Sequence, residues 1–323
     1  MKVIIQIPCY NEAETLPETL LDLPRAIPGV DSVEWLVVDD GSIDGTAEVA
    51  REKGVDHVVR VPHNQGLAKA FSTGLEASLR LGADIIVNTD ADNQYCGADI
   101  VRIVNPVLKG EADMAIGARP IDGIAEFSPL KKWLQKLGSR VVRSLSGTDV
   151  ADAPSGFRAM SRSVASRLNV FSEYTYTLET IIQAGQNGMK VVSVPVRVNE
   201  KTRPSRLVKS VYSYVKRSVV TMLRIFVVYR PMRFFLTLAG LGFGIGFVAG
   251  LRFLVYYLLG EGSGHVQSVI FAVFMMGAGL LLALVALLAD LIAVNRRLLE
   301  TLQWRMSELE RRLENSGRGK NGE

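Results

Sequence analysis

Residues 86–95 read IVNTDADNQY. An apolar run stops at two carboxylates one residue apart, Asp90 and Asp92, with Asn93 and Gln94 directly behind. Two other apolar runs end in the same manner. KVIIQIP gives way to Cys9, Tyr10, Asn11 and Glu12, and VEWLVV gives way to Asp39, Asp40, Gly41 and Ser42. Oxygen donors gathered in one place can hold a hard divalent cation, and such a cation binds phosphate-bearing ligands. Asp, Asn, Ser and Gly also end strands because they make turns and cap helices, so each cluster taken alone has two readings. Three on one edge of a sheet favour a ligand site.

The elements that would place them there follow from periodicity. Residues 2–8, 33–42, 57–62 and 83–92 are short, nearly continuous apolar runs rich in β-branched residues, which reads as buried parallel strands. Between them, 11–23, 44–54 and 66–82 carry helical spacing with acidic starts or glycine ends. Strand and helix alternate over the first 200 residues, so the expected fold is α/β, a mostly parallel sheet with helices on both faces. In such sheets ligands bind at the carboxyl ends of the strands.

The last third has another character. Residues 234–251 and 269–289 are apolar on all sides and close to the roughly 20 residues a bilayer requires. Basic residues crowd 203–233 and 296–312, whereas the link GEGSGH (260–265) has no Lys or Arg. The positive-inside rule then puts the catalytic domain and both termini in the cytoplasm and the link outside, in a multi-pass protein of the cell membrane. The expected division is 1–200 catalytic, 201–231 basic and juxtamembrane, and 232–294 membrane-spanning. An amphipathic helix at 295–314 and a disordered tail at 315–323 complete it. Gly242, Gly246 and Gly250 suit close helix packing better than a dinucleotide fingerprint, since no strand precedes them. Leu299, Leu302, Met306, Leu309 and Leu313 alternate at three and four, a short heptad seam that favours a homo-oligomer through these C-terminal helices over a helix lying on the membrane. MKVIIQIP is too short an apolar stretch for a signal peptide. The net charge of +4 is local to the membrane flanks, and no nucleic-acid motif is present.

IPCYNE (7–12), VVDDGSIDGT (37–46), HNQGLAKA (63–70), DADNQY (90–95) and DAPSGFRAMSR (152–162) occur in the order found in family 2 glycosyltransferases. With the two spans they resemble the polyprenyl-phosphate glycosyltransferases, the group of dolichol-phosphate mannose synthase. The resemblance implies a GT-A catalytic fold. It implies that Pro8, Tyr10 and Glu12 line a nucleotide pocket, with Asp40 near the base. Asp90 and Asp92 form a DxD-like motif, in which Asp92 with Gln94 would ligate Mg²⁺ or Mn²⁺ beside the donor diphosphate. Asp152, Ser155, Gly156, Phe157 and Arg158 match a segment near the transfer site, with Ser155 and Arg158 on the acceptor side. Arg203 and Arg206 match a basic stretch that closes over the phosphates, and Arg119 is a candidate for holding the lipid phosphate. Asn93 and Tyr95 depart from the common D-A-D-L-Q-[DH], and Cys9 replaces the common Thr or Ala.

The implied reaction moves one sugar, a hexose by expectation, from a nucleotide-diphosphate sugar to polyprenyl phosphate, inverting the anomeric centre. UDP is favoured over GDP on family frequency alone. A phosphomonoester with a second pKa near ~6 is already a nucleophile in the cytosol, so Asp152 is expected to orient a substrate rather than remove a proton. Two other readings stand beside this one. A processive polysaccharide synthase would carry a QxxRW motif, and LQWRM (302–306) has the wrong order and place. A membrane-tethered binding protein without catalysis would be expected to have lost acid at the metal site, yet Asp90, Asp92 and Asp152 are all present.

Overall fold

The computed structural model describes residues 1–120, 129–170, 176–199 and 226–320, together with 216, 219, 220, 223 and 224. Arg203, Arg206 and most of the basic segment at 201–231 lie outside the described residues. The chain forms two units, Met1–Val219 and Val220–Glu323.

The first unit is built on β1 (Lys2–Cys9), whose side chains from Val3 onward are all buried. β2 (Ser32–Asp39) and β4 (Ile85–Asn88) pair with it in parallel, one on each side, and β3 (His57–Arg60) adds to β2. The chain therefore first builds outward from β1 and then returns to its other side. This is a topological switch point, and it opens a crevice at the strand ends. β5 (Met114–Ala118), β6 (Arg158–Ser161) and β7 (Val191–Pro195) complete a seven-stranded sheet in the order β3-β2-β1-β4-β6-β5-β7. Only β6 runs against its neighbours, β4 and β5. The expected α/β architecture is the observed one.

Among the described residues the helices of this unit include α1 (Leu16–Asp22), α2 (Thr46–Glu52), α3 (Leu67–Arg80), α4 (Ile100–Leu108), α5 (Pro129–Ser146), α6 (Arg162–Ala165) and α7 (Thr177–Gln186). The helix expected from residue 11 starts only at Leu16. Asn11 takes a left-handed conformation (φ 53°), and the turn after it is held by Ser42 Oγ, Thr46 Oγ1 and Asp44, which accept from the amides of residues 11, 12 and 13. The left-handed backbone at Asn11 is incompatible with an α-helix, so the helix can begin only after this turn.

The second unit holds α8 (Pro231–Leu258) and α9 (Val266–Lys320). Pro231–Leu258 and Val266–Arg296 are long and apolar enough to cross a membrane, and only 11% and 17% of their most apolar windows are buried. They pack through small residues. A Cβ on Gly246 would lie 2.8 Å from Ala272 O, and one on Gly279 would lie 2.9 Å from Ala239 O. The helix expected at 295–314 is present and continuous with the second span, whereas residues 315–320, expected to be a disordered tail, are helical. Once a helix is nucleated each added residue gains one backbone bond, so helix can run on without apolar content.

Candidate active site

The crevice between β1 and β4 receives the acidic strand ends. Pro8 is buried in β1 opposite Val38, while Tyr10 projects and is 43% exposed. Glu12 accepts a bond from Thr15 Oγ1 at 2.6 Å. Asp40 is buried, and both its oxygens are occupied by the amides of Gln65 (2.9 Å) and Gly66 (2.8 Å). It therefore braces the loop before α3. Asp39 beside it is bonded by the Ser42 amide and paired with Arg60 at 3.3 Å.

After β4 the chain turns sharply. Asn93 is left-handed (φ 52°), and Gln94 N donates to Asp92 Oδ1 at 3.2 Å. The turn is clamped from outside by the segment after β7. Asn199 Nδ2 donates to Asn93 O (3.1 Å) and Tyr95 O (3.3 Å), and Asn199 N donates to Gln94 O (2.9 Å). Asp90 sits against Gly156, where a Cβ would be 2.8 Å from Asp90 Oδ1 and 3.0 Å from Tyr176 Oη. The DAD and SGF motifs thus meet, and Gly156 is required because the carboxylate occupies the place of a side chain. Burial and the neighbouring Asp92 push the Asp90 carboxyl up to about 7, against the pull of Arg119 and Arg158. Two close acids in a poorly solvated site repel one another, a cost that a cation relieves.

Arg119 and Asp152 form a buried, two-pronged ion pair. Arg119 Nε donates to Asp152 Oδ2 at 2.7 Å and Nη2 to Oδ1 at 3.1 Å, with side-chain exposures of 8% and 1%. Burial would lower the Arg119 pKa, but the bonded carboxylate of Asp152 outweighs it and holds the guanidinium firmly charged. Tyr95, where the family pattern has Asp or His, is stacked on Phe157 with ring centroids 4.8 Å apart, and its hydroxyl accepts from Gly156 N at 3.2 Å. Burial raises this phenol to about 12, so it stays protonated. Tyr95 is part of the wall of the site.

Arg158 and Ser155, expected on the acceptor side, lie inside the fold. Both are fully buried. Arg158 opens an inner strand with neighbours on both sides, and its guanidinium bonds to Ser155 O, Thr177 O and Thr180 Oγ1. Burial lowers its pKa. Ser155 Oγ lies 3.5 Å from Tyr95 Oη. These two residues hold the Gly156 turn from behind.

The sequence reading missed Asn88, Tyr176 and Asn199. Asn88 Nδ2 donates to Gly156 O and Tyr176 Oη, both at 2.9 Å, and Asn88 Oδ1 accepts from Gln6 Nε2 at 2.9 Å. Tyr176 is stacked on Phe71 at 3.8 Å. The signal was a polar residue inside each of two buried strands, Gln6 in KVIIQIPC and Asn88 in IIVN. Tyr176 and Asn199 had no such mark.

Among the described residues no group of three His, Cys, Asp or Glu converges to cage a metal. The fit is to an open site with one or two carboxylates, in which ligand phosphates supply the remaining oxygens, the manner in which Mg²⁺ is usually bound.

The sheet has a switch point of the kind at which α/β folds bind ligands, with paired acids at its carboxyl edge and an Arg–Asp pair beside them. Residues 4–168 match glycosyl transferase family 2, and the chain belongs to that family. The polyprenol monophosphomannose synthase of Mycolicibacterium smegmatis is 31% identical over 215 residues, covering 62% of this chain and 78% of the relative. The UDP-N-acetylglucosamine–dolichyl-phosphate N-acetylglucosaminyltransferase of Methanococcus voltae is also 31% identical, over 60% of this chain and 84% of its own. In fold the chain is similar to glucosyl-3-phosphoglycerate synthase of Mycobacterium tuberculosis. With phosphoglyceric acid bound, that structure gives a TM-score of 0.52 at 22% identity, over 68% of this chain and 79% of the other. Its complex with Mn²⁺, UDP and phosphoglyceric acid gives 0.50 at 20% identity, over 68% and 78%.

Proposed function

We propose that the chain transfers a single sugar from a nucleoside-diphosphate donor to polyprenyl phosphate at the cytoplasmic face of a membrane, with inversion at the anomeric carbon. The observation that carries this is the convergence of Asp90 and Asp92 with the Arg119–Asp152 pair around Gly156, in a chain that also has two membrane-length helices. Relatives at equal identity are named for polyprenol and dolichyl-phosphate acceptors but for different sugars, which supports the acceptor and leaves the sugar open. A UDP donor is favoured because one relative is named for it, with a hexose or N-acetylhexosamine as the sugar.

A divalent cation, Mg²⁺ or Mn²⁺, would be held by Asp92, Gln94 and Asp90 and would neutralise the leaving diphosphate. The chain's own residues do the rest. Tyr10 and Glu12 border the nucleotide, and Pro8 fixes the strand end beneath it. Asp40 shapes the nucleotide pocket through the loop it braces at Gln65 and Gly66. Arg203 and Arg206 are assigned to the donor phosphates by sequence match. Asp152 has both oxygens turned to Arg119, so it acts as an orienter. Arg119, fixed at Nε and Nη2, presents Nη1 to the acceptor phosphate, whose charge it draws toward the donor carbon.

Calorimetric titration of the full chain in detergent with UDP and with GDP, in Mn²⁺ and in EDTA, tests this site. UDP binding that needs the cation and is lost in Asp92→Ala is expected. Binding indifferent to both the cation and Asp92 would remove the assignment.

A further inference from the structure

Helix α5 carries five basic residues and no acidic one in PLKKWLQKLGSRVVRSLS. Its rotation in the fold is fixed. Gly138, Ser139, Val142, Leu145 and Ser146 are buried, and Ser139 Oγ accepts from Ala153 N at 3.2 Å. A Cβ on Gly185 of α7 would stand 2.2 Å from Ser146 O, so the two helices are in backbone contact there. The outward face therefore presents Trp133, Lys136, Arg140 and Arg143, all exposed and spaced three, four and three apart, which is one continuous stripe. Basic residues alone would make an ordinary solvated face. Trp133, 59% exposed in the same line, does not fit that description. Indole has an apolar body and one polar N–H, and it settles where water meets an apolar phase.

We propose that this face of α5 docks on an anionic lipid bilayer, with Trp133 at the headgroup level and Lys136, Arg140 and Arg143 on lipid phosphates. Charge complementarity selects the partner, because a helix with no acid and a cationic stripe is attracted to anionic headgroups. The tether supplies the encounter, since two helices of membrane length in the same chain keep the first unit at high effective concentration near a bilayer. Arg143 on this face pairs with Asp149 at 3.3 Å, and that pair is itself exposed. Exposed pairs contribute little and exchange readily for a phosphate. The inference stands whether or not polyprenyl phosphate is the acceptor.

The test places the full chain in nanodiscs of phosphatidylcholine, with and without phosphatidylglycerol, using lipids brominated near the top of the acyl chain. The difference in emission between wild type and Trp133→Phe isolates Trp133 from Trp35 and Trp304. Expected is quenching of Trp133 that requires phosphatidylglycerol and is reversed by high salt, which screens surface charge. In Lys136→Gln/Arg140→Gln/Arg143→Gln the quenching should fall severalfold, since each basic residue near an anionic surface is worth about fivefold in partition. Nucleotide affinity reports whether that variant is folded, and the salt titration of wild type needs no variant. Trp133 emission unchanged by phosphatidylglycerol, or quenched equally in neutral lipid at any salt, would overturn the proposal.

Discussion

At the residue scale the site turns on Gly156. Its missing Cβ is the space in which the Asp90 carboxylate sits, so Gly156→Ala must push Asp90 out of line with Asp92. A displacement of about 1 Å at a reacting centre can cost ~100-fold. Sugar transfer in Gly156→Ala is expected to fall by at least that much, and steady-state kinetics alongside a thermal melt would separate misplacement from unfolding. The Arg119–Asp152 pair makes a second point. Removing one partner of a buried pair leaves an uncompensated charge and costs about 3–5 kcal/mol, whereas replacing both by apolar groups is often neutral. Asp152→Leu should therefore lower the denaturation midpoint strongly, and Arg119→Met/Asp152→Leu should recover most of it while remaining inactive. A double variant as unstable as the single one would show that the pair is not an isolated brace. Motif order brought Asp90, Asp92 and Asp152 forward, and the GARP segment Arg119; their roles belong with the proposals. The burial of Arg158 and Ser155 was not legible, because proximity to a motif says nothing of which way a side chain points from an inner strand.

At the scale of elements, the site depends on where β7 leaves the sheet. Asn199 clamps the turn at 93–95, and just before it Arg197 reaches the fully buried Asp99 through Nε and Nη2, with the Arg197 amide donating at 2.6 Å. Burial alone would raise the Asp99 carboxyl. The Arg197 bonds, aided by Arg102, outweigh it and hold it below the ordinary carboxylate range. The folded pKa is depressed, so the stability this contact contributes is complete above the unfolded value near ~4. It is lost as pH falls through the lowered folded value. In urea titrations at a series of pH values, Asp99→Asn should flatten the acid-side loss of stability, and wild type and variant should differ least at the lowest pH. Asn199→Ala should raise the KM for donor more than it lowers kcat, since it loosens the turn that carries Asp92 and Gln94 without touching the reacting atoms. The alternating strands and helices up to residue 88 were readable from apolar runs and their spacing. β6 was not, because its four residues RAMS include a buried arginine and it pairs with strands far away in sequence.

At the scale of the molecule, two units divide the work. The first brings the acids and the Arg–Asp pair together, and the second supplies helices of membrane length. The spans were legible from composition because bilayer thickness imposes a length and hydrocarbon forbids charge. Their mutual packing was legible from glycine spacing. The continuity of α9 through Lys320 was not, since helix propagation leaves no mark in residue type once the apolar pattern ends. The homo-oligomer expected from these helices belongs with the proposals, and cross-linking in native membranes is the check, with a ladder above the monomer expected. The central claim is transfer to a lipid phosphate. The most direct measurement incubates the full chain with radiolabelled UDP- and GDP-sugars, undecaprenyl phosphate and Mn²⁺, then identifies label in the organic phase by mass spectrometry. One donor giving a singly glycosylated polyprenyl phosphate, absent with Asp92→Ala, is the expected result. Label found only in water-soluble polymer, or no transfer from any donor while nucleotide still binds, would contradict it.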